Sequence, residues 1–95
     1  MYNICVMFQT LENKREDFVK RVTDEGILEA IRKEDGCHLY EYYFSEGDKN
    51  MLMLIEKWET KEHQQIHIAQ AHMARLREFK DEYIKSTKLF EFELK

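Results

Sequence analysis

The stretch CHLYEYYFSEGDKNMLMLIEKWE, residues 37–59, decides the fold of this chain. Its two ends, residues 37–45 and 51–59, are rich in aromatic and aliphatic side chains and predict two β-strands. The five residues between them, EGDKN, include the glycine, aspartate and asparagine that favour turns. The centre of the chain is therefore predicted to be an antiparallel hairpin.

A strand and a helical region flank the hairpin on each side. Residues 2–10 alternate in the manner of a strand and carry apolar side chains on both faces, which predicts a central strand. Residues 13–34 repeat apolar side chains at spacings of three and four and predict a helix that Gly26 bends or interrupts. After the hairpin, Thr60 is the predicted N-cap of a second helical region, and residues 87–94 alternate as a fourth strand.

The element order is therefore β-α-β-β-α-β, which predicts an α+β chain with a ferredoxin-like, four-stranded antiparallel sheet. In the second helical region the predicted apolar stripe consists of Ile66, Met73, Leu76 and Phe79, with a break near Gln70. Right-handed crossovers place the helices on one face of the sheet. The other face carries large apolar side chains, so we expect a second copy to cover it, giving a homodimer with a dimeric α/β-barrel.

Length and composition narrow the class of protein further. Ninety-five residues fit a single domain, residues 1–95, and 43% hydrophobic with 36% charged residues is typical of a folded globular protein. A net charge of −4 without a basic block argues against nucleic-acid binding. No apolar run has the length of a membrane helix and no secretory leader is recognised, so we expect a cytoplasmic protein with no membrane or nucleic-acid partner. Its thiols, Cys5 and Cys37, are then reduced.

Three segments resemble motifs of the antibiotic biosynthesis monooxygenase (ABM) domain family, in particular its quinol monooxygenase-like branch. EDGCHLYEY at residues 34–42 resembles the family's EGC-x-x-Y-E strand entry, and LIEKWET at residues 54–60 resembles its EEWES strand end. His67, followed five residues later by His72 and Met73, resembles its AHL-x-x-PHM helix, without the proline. The order and spacing of the three motifs match, and the element order matches over essentially the whole chain.

This resemblance implies an enzyme that oxidises a small phenolic or quinol compound with O₂, as a monooxygenase that uses no cofactor. A base must remove the phenolic proton, because the phenolate is the form that gives an electron to O₂. An apolar pocket must hold the flat aromatic substrate and exclude water. His67 and His72 are the candidate catalytic bases, since an ordinary histidine pKa of about 6.5 suits proton transfer.

Four further residues are candidates for substrate binding. Trp58 could stack on a flat substrate or lie in the core between strand and helix. Tyr40 and Tyr42 share a strand face, and their hydroxyls could bind a ligand or simply pack. Glu56 lies on an otherwise apolar strand face, so its carboxylate needs a partner, either a cation or a histidine from the helix that it could orient.

Metal binding and two other functions are the alternatives. His63 and His67 stand one helical turn apart, as zinc ligands do, but no third ligand is evident and no metal is predicted. The chain could instead be a non-catalytic dimeric module that binds a small apolar molecule. It could also be a related enzyme for a small phosphorylated metabolite, for which Arg75, Arg77 and Lys57 are the obvious cations.

Overall fold

Four strands and four short helices make up the protein in a computed structural model that describes residues 1–93. None of the helices in this range is long and apolar enough to cross a membrane. The elements are β1 (Tyr2–Thr10), α1 (Arg15–Asp24), α2 (Ile27–Arg32), β2 (Cys37–Phe44), β3 (Met51–Trp58), α3 (Lys61–Ile68), α4 (Ala71–Lys80) and β4 (Ile84–Phe92).

The four strands form one antiparallel sheet in the order β2-β3-β1-β4. The first strand is central, as its two apolar faces predict: Val6 pairs with Leu54 on one side and with Leu89 on the other. The hairpin of β2 and β3 has its predicted place and antiparallel register. Together with the helices on one face, this confirms the predicted ferredoxin-like α+β fold.

The core lies between the sheet and the helices. One face of β1 contributes Ile4, Val6 and Phe8, which alternate with partly exposed residues as the two-residue period requires. Phe18 of α1 packs against this face, with its ring centroid 5.9 Å from that of Phe8 and 6.2 Å from that of Tyr42. Aromatic rings at such distances and angles stabilise the core beyond the apolar area they bury.

The opposite face of the sheet carries a row of apolar side chains that the helices do not cover. Cys5, Met7, Met53 and Ile55 on this face are each partly exposed, and Phe90 of β4 is 51% exposed. The register places these side chains next to one another, because Cys5 pairs with both Ile55 and Phe90. We call this surface the open face.

Most of the local signals in the sequence have the predicted outcome. The first helical region is interrupted at Gly26, whose φ of 76° is one that other residues rarely adopt, and the second is interrupted at Gln70. Thr60 is the N-cap of α3, and its side chain accepts a hydrogen bond from the backbone N–H of His63 at 3.2 Å.

Two predictions are wrong. The fourth strand begins at Ile84 and not at residue 87, because Ile84 pairs with Thr10 beyond a shift in register; the predicted position of Leu94 lies outside the described residues. The apolar stripe of α3 does not include Ile66, which is 60% exposed. That helix turns Gln64 and His67 inward instead, and Glu34 accepts the hydrogen bond of the buried His67 there.

Gly36 supports the turn between α2 and β2, from which Glu34 projects. Its φ is 80°, its carbonyl accepts the N–H of Glu59 at 2.8 Å, and an added Cβ would collide with the ring of His63. Gly36→Ala is therefore expected to lower the free energy of unfolding by at least about 1 kcal/mol, measured by urea unfolding. The control is Gly47→Ala, where the added Cβ meets no atom within 4 Å. Equal midpoints for the two variants would contradict this reading.

Candidate functional site

A cavity of about 210 Å³ lies between the sheet and the helices. Its walls are largely apolar and include Val6, Leu54 and Leu76. In another protein an engineered apolar cavity of about 150 Å³ binds benzene. The cavity is therefore of the size that holds one substituted aromatic ring.

Polar side chains from two layers of the fold converge on this cavity. Tyr40, Tyr42 and Glu56 come from the strands, and Gln64 and His67 come from α3. The structure thus brings together four of the residues predicted from the sequence as site residues. An apolar pocket with a few convergent polar groups is the usual form of a small-molecule site.

His67 is the most deeply buried polar residue of the site, with 1% of its surface exposed. Its ring lies between those of Trp58 and Tyr40, at centroid distances of 4.6 and 5.7 Å, and its Nδ1 is 2.7 Å from Oε2 of Glu34. Burial lowers the pKa of His67, and the hydrogen bond to Glu34 opposes that shift. Because a carboxylate can only accept, Nδ1 carries the proton and Nε2 keeps a free lone pair for a ligand in the cavity.

Glu34 connects His67 to the second predicted base. The same Oε2 lies 2.9 Å from Nε2 of His72, which is on α4 and does not line the cavity. His72 therefore reaches the cavity only through Glu34 and His67. No pattern in the sequence assigns a role to Glu34, although it is the first residue of the motif at residues 34–42.

Trp58 does not line the cavity and is fully buried. Its Nε1–H donates a hydrogen bond of 2.9 Å to Oε1 of Glu56, and its ring supports that of His67. Burial raises the pKa of Glu56 to about 7; the charge of Glu34 adds to that rise, while the bond from Trp58 opposes it. Trp58 is thus a core residue that positions Glu56 and His67.

The two tyrosines of the site lie edge to face, with ring centroids 6.0 Å apart. Burial is the main reason why the pKa of Tyr40 and that of Tyr42 are both raised. Both phenols therefore keep their protons near neutral pH. Each can donate or accept a hydrogen bond to a ligand in the cavity.

The other histidine and the three cations considered from the sequence lie in different parts of the structure. His63 turns toward the loop before β2, with Nδ1 2.7 Å from Oγ1 of Thr60 and Nε2 3.3 Å from the carboxylate of Asp35. Arg77 lines the cavity, whereas Arg75 forms ion pairs with acidic side chains on the surface. Lys57 projects from the other face of β3, so Lys57, Arg75 and Arg77 do not form the cluster that a phosphate would need.

Among residues 1–93, one group of side chains has the donor atoms and proximity of a metal site. It consists of Glu34, His67 and His72, whose potential ligand atoms all lie within 4.8 Å of one another. His63, the partner considered for His67 from the sequence, is not part of this group.

A protein-family model described as "Antibiotic biosynthesis monooxygenase" matches residues 1–78 of the chain. No protein in a search of curated proteins matches it.

Solved structures share the fold over nearly the whole chain. A "putative antibiotic biosynthesis monooxygenase" from Nitrosomonas europaea has 22% identity and a TM-score of 0.85, covering 98% of this chain and 97% of that one. A conserved protein of unknown function from Bacteroides thetaiotaomicron, described as a possible oxidoreductase, has 25% identity and a TM-score of 0.81, with coverage of 98% and 96%. A conserved protein from Methanosarcina mazei has 22% identity and a TM-score of 0.83, with coverage of 99% and 92%.

The raised pKa of Glu56 predicts a stability that falls as the pH rises. The folded protein keeps this proton to about pH 7, whereas the unfolded chain loses it near 4.5, so between these values the folded state binds more protons. Glu56→Gln, which has the same shape and no charge, is therefore expected to exceed the wild type in free energy of unfolding at about pH 8, by up to about 3 kcal/mol.

Urea unfolding across this pH range measures the effect, and the advantage of the variant should shrink as the pH falls toward 4.5. The control is Glu41→Gln, which alters an exposed carboxylate of β2. A difference between Glu56→Gln and the wild type that does not change with pH would show that the pKa of Glu56 is the same in the folded and unfolded states.

Proposed function

The chain belongs to the antibiotic biosynthesis monooxygenase family, and on that premise we propose that it is a cofactor-independent monooxygenase that oxidises a small phenolic or quinol compound with O₂. The observation that carries the proposal is the placement of His67, whose Nδ1 is bound by Glu34 at 2.7 Å while its ring lines an apolar cavity of one-ring size. A histidine held in one tautomer by a carboxylate is a suitable general base.

The proposed reaction balances without an external reductant. Nε2 of His67 accepts the proton of the substrate hydroxyl, and the carboxylate of Glu34 stabilises the imidazolium that forms. The phenolate gives one electron to O₂, and the radical pair combines at the ring as a peroxide. The peroxide takes the proton back from the imidazolium and then loses water, whose second hydrogen comes from the ring carbon. One phenol and one O₂ thus give one quinone and one water. The apolar walls keep bulk water from the radical pair.

The other residues of the site act on orientation in this proposal. Tyr40 and Tyr42 hold their protons and can donate hydrogen bonds to the oxygen substituents of the ring. Glu56, protonated up to about pH 7, offers a further donor in the same cavity. His72 acts on the substrate only indirectly, by holding the carboxylate of Glu34 in place.

We expect the active form to be a homodimer in which two copies cover each other's open face. Soluble monomers rarely leave a continuous apolar surface exposed, and the open face combines Met7, Met53, Ile55 and the half-exposed Phe90. In a two-fold symmetric dimer the same surface of both copies forms the interface, so each open face would cover the other.

Oxygen consumption with a panel of one-ring phenols and hydroquinones tests the proposed activity. The chelator-treated wild type should consume O₂ faster than the spontaneous reaction. His67→Ala should lower kcat/KM by at least about a hundredfold, which is the usual contribution of a general base. Glu34→Gln should also reduce kcat, because it leaves the orientation and charge of the imidazole without support.

The matched control is His38→Ala, which removes an exposed histidine whose Nε2 contacts Glu59 on the surface. Circular dichroism establishes that each variant is folded. Activity in His67→Ala equal to that of the wild type would remove this histidine from the mechanism. Ligand binding in the cavity without O₂ consumption would favour the non-catalytic binding module.

Sedimentation velocity tests the homodimer. The wild type is expected to sediment with the mass of two chains, and Phe90→Lys should shift it toward one chain by placing a charge on the open face. Ile66→Lys changes an equally exposed side chain on the helical side and should leave the dimer intact. A folded wild-type monomer at micromolar concentration would contradict this arrangement.

A further inference from the structure

We propose that Glu34, His67 and His72 form a binding site for a divalent transition-metal ion, with Zn²⁺ as the first candidate. The metal would bind beside the cavity proposed for the phenol, and the two sites share His67. It does not require that the chain be an oxygenase, and the oxygenase reaction proposed above requires no metal.

Three potential donor atoms converge on one point between α3, α4 and the loop after α2. Nδ1 of His67 and Nε2 of His72 approach the same oxygen of Glu34, at 2.7 and 2.9 Å. Two imidazole nitrogens aimed at one carboxylate oxygen are also aimed at a metal that this oxygen would share. Zinc takes tetrahedral ligands at about 2.0–2.2 Å, so its donor atoms lie about 3.3–3.6 Å apart and the carboxylate must move away from both rings to admit the ion.

The site is partly enclosed and its rings are held in place. The side chain of His67 is 2% exposed, that of Glu34 is 10% exposed and that of His72 is 22% exposed. Trp58 packs on the ring of His67, which fixes one ligand before any metal arrives. The partial exposure of His72 gives the ion a path of entry. Three protein ligands leave one tetrahedral position for water, as in open zinc sites.

The type of ligand selects the class of metal. Two imidazoles and one carboxylate suit zinc and its neighbours in the first transition row, whereas magnesium and calcium prefer oxygen ligands throughout.

Metal binding and the base function exclude each other at His67. In the hydrogen-bonded state Nδ1 carries the proton and Nε2 has the free lone pair. A metal on Nδ1 requires the other tautomer, with the lone pair on Nδ1 and the proton on Nε2. Nε2 then donates into the cavity and can no longer accept a proton. Where the oxygenase activity is present, Zn²⁺ is therefore expected to inhibit it reversibly.

Isothermal titration of the chelator-treated full chain with zinc chloride tests the site directly. One ion should bind per chain. Glu34→Gln and His72→Ala should each weaken binding by more than the roughly 10- to 100-fold that loss of a supporting group costs a metal site. Co²⁺ offers a second readout, because four-coordinate Co²⁺ absorbs strongly in the visible range and the two variants should lose that band.

His63→Ala and His38→Ala are the matched controls, since both remove a histidine that lies next to an acidic residue outside the proposed site. Both should keep the wild-type affinity. The inference is overturned if the wild type binds no zinc, if Glu34→Gln and His72→Ala bind as the wild type does, or if a control variant abolishes binding. Thermal unfolding of each metal-free variant separates a lost ligand from a lost fold.

The two proposals fail separately. Zinc binding at this site without any O₂ consumption would leave the metal site standing and remove the oxygenase. Oxygen consumption by a wild type that binds no zinc would do the reverse.

Discussion

The carboxylate of Glu34 joins the loop after α2 to both helices of the second half of the chain, through His67 at 2.7 Å and His72 at 2.9 Å. A continuous helix could not present both histidines to it, because residues five apart differ by about 140° around the axis at 3.6 residues per turn. The interruption at Gln70 separates α3 from α4 and allows both rings to face one oxygen. On the other side, the turn at Gly36 directs the chain from Glu34 into β2. The candidate site thus depends on two breaks in regular structure, at Gly36 and Gln70, on either side of the carboxylate of Glu34.

Burial gives this arrangement its chemical character. Charges in a low-dielectric region interact strongly and are expensive to leave without a partner. Accordingly, Glu56 receives the indole N–H of Trp58, and His67 has its Nδ1 proton accepted by Glu34. The same burial raises the pKa of Glu56 and lowers that of His67, which favours a neutral acid and a neutral base in a single cavity. Opposite shifts that the surroundings impose on two titratable groups of one site are a common basis for acid–base chemistry.

Local rules predicted the fold from the sequence, and long-range contacts explain what they missed. The alternation of the hairpin and the cap at Thr60 depend on neighbouring residues, and both are found as predicted. Glu34 was not foreseen because its partners lie 33 and 38 positions away in the chain. Hydropathy also favoured Ile66 over His67 for the inner face of α3. A hydropathy scale scores each residue alone and takes no account of Glu34, whose carboxylate stabilises the buried histidine. Ile84 was missed because an edge strand can pair through its backbone where its side chains are polar.

The cavity itself bears on the oligomeric state. Side chains that line an apolar cavity lose contacts that a filled core would give them, and this costs stability. A chain of 95 residues has only a small core from which to offset that cost. The open face, with Met53, Ile55 and Phe90, leaves further apolar surface unburied. In the proposed homodimer two such faces would close on each other, and the apolar area buried there would offset the cost of the cavity.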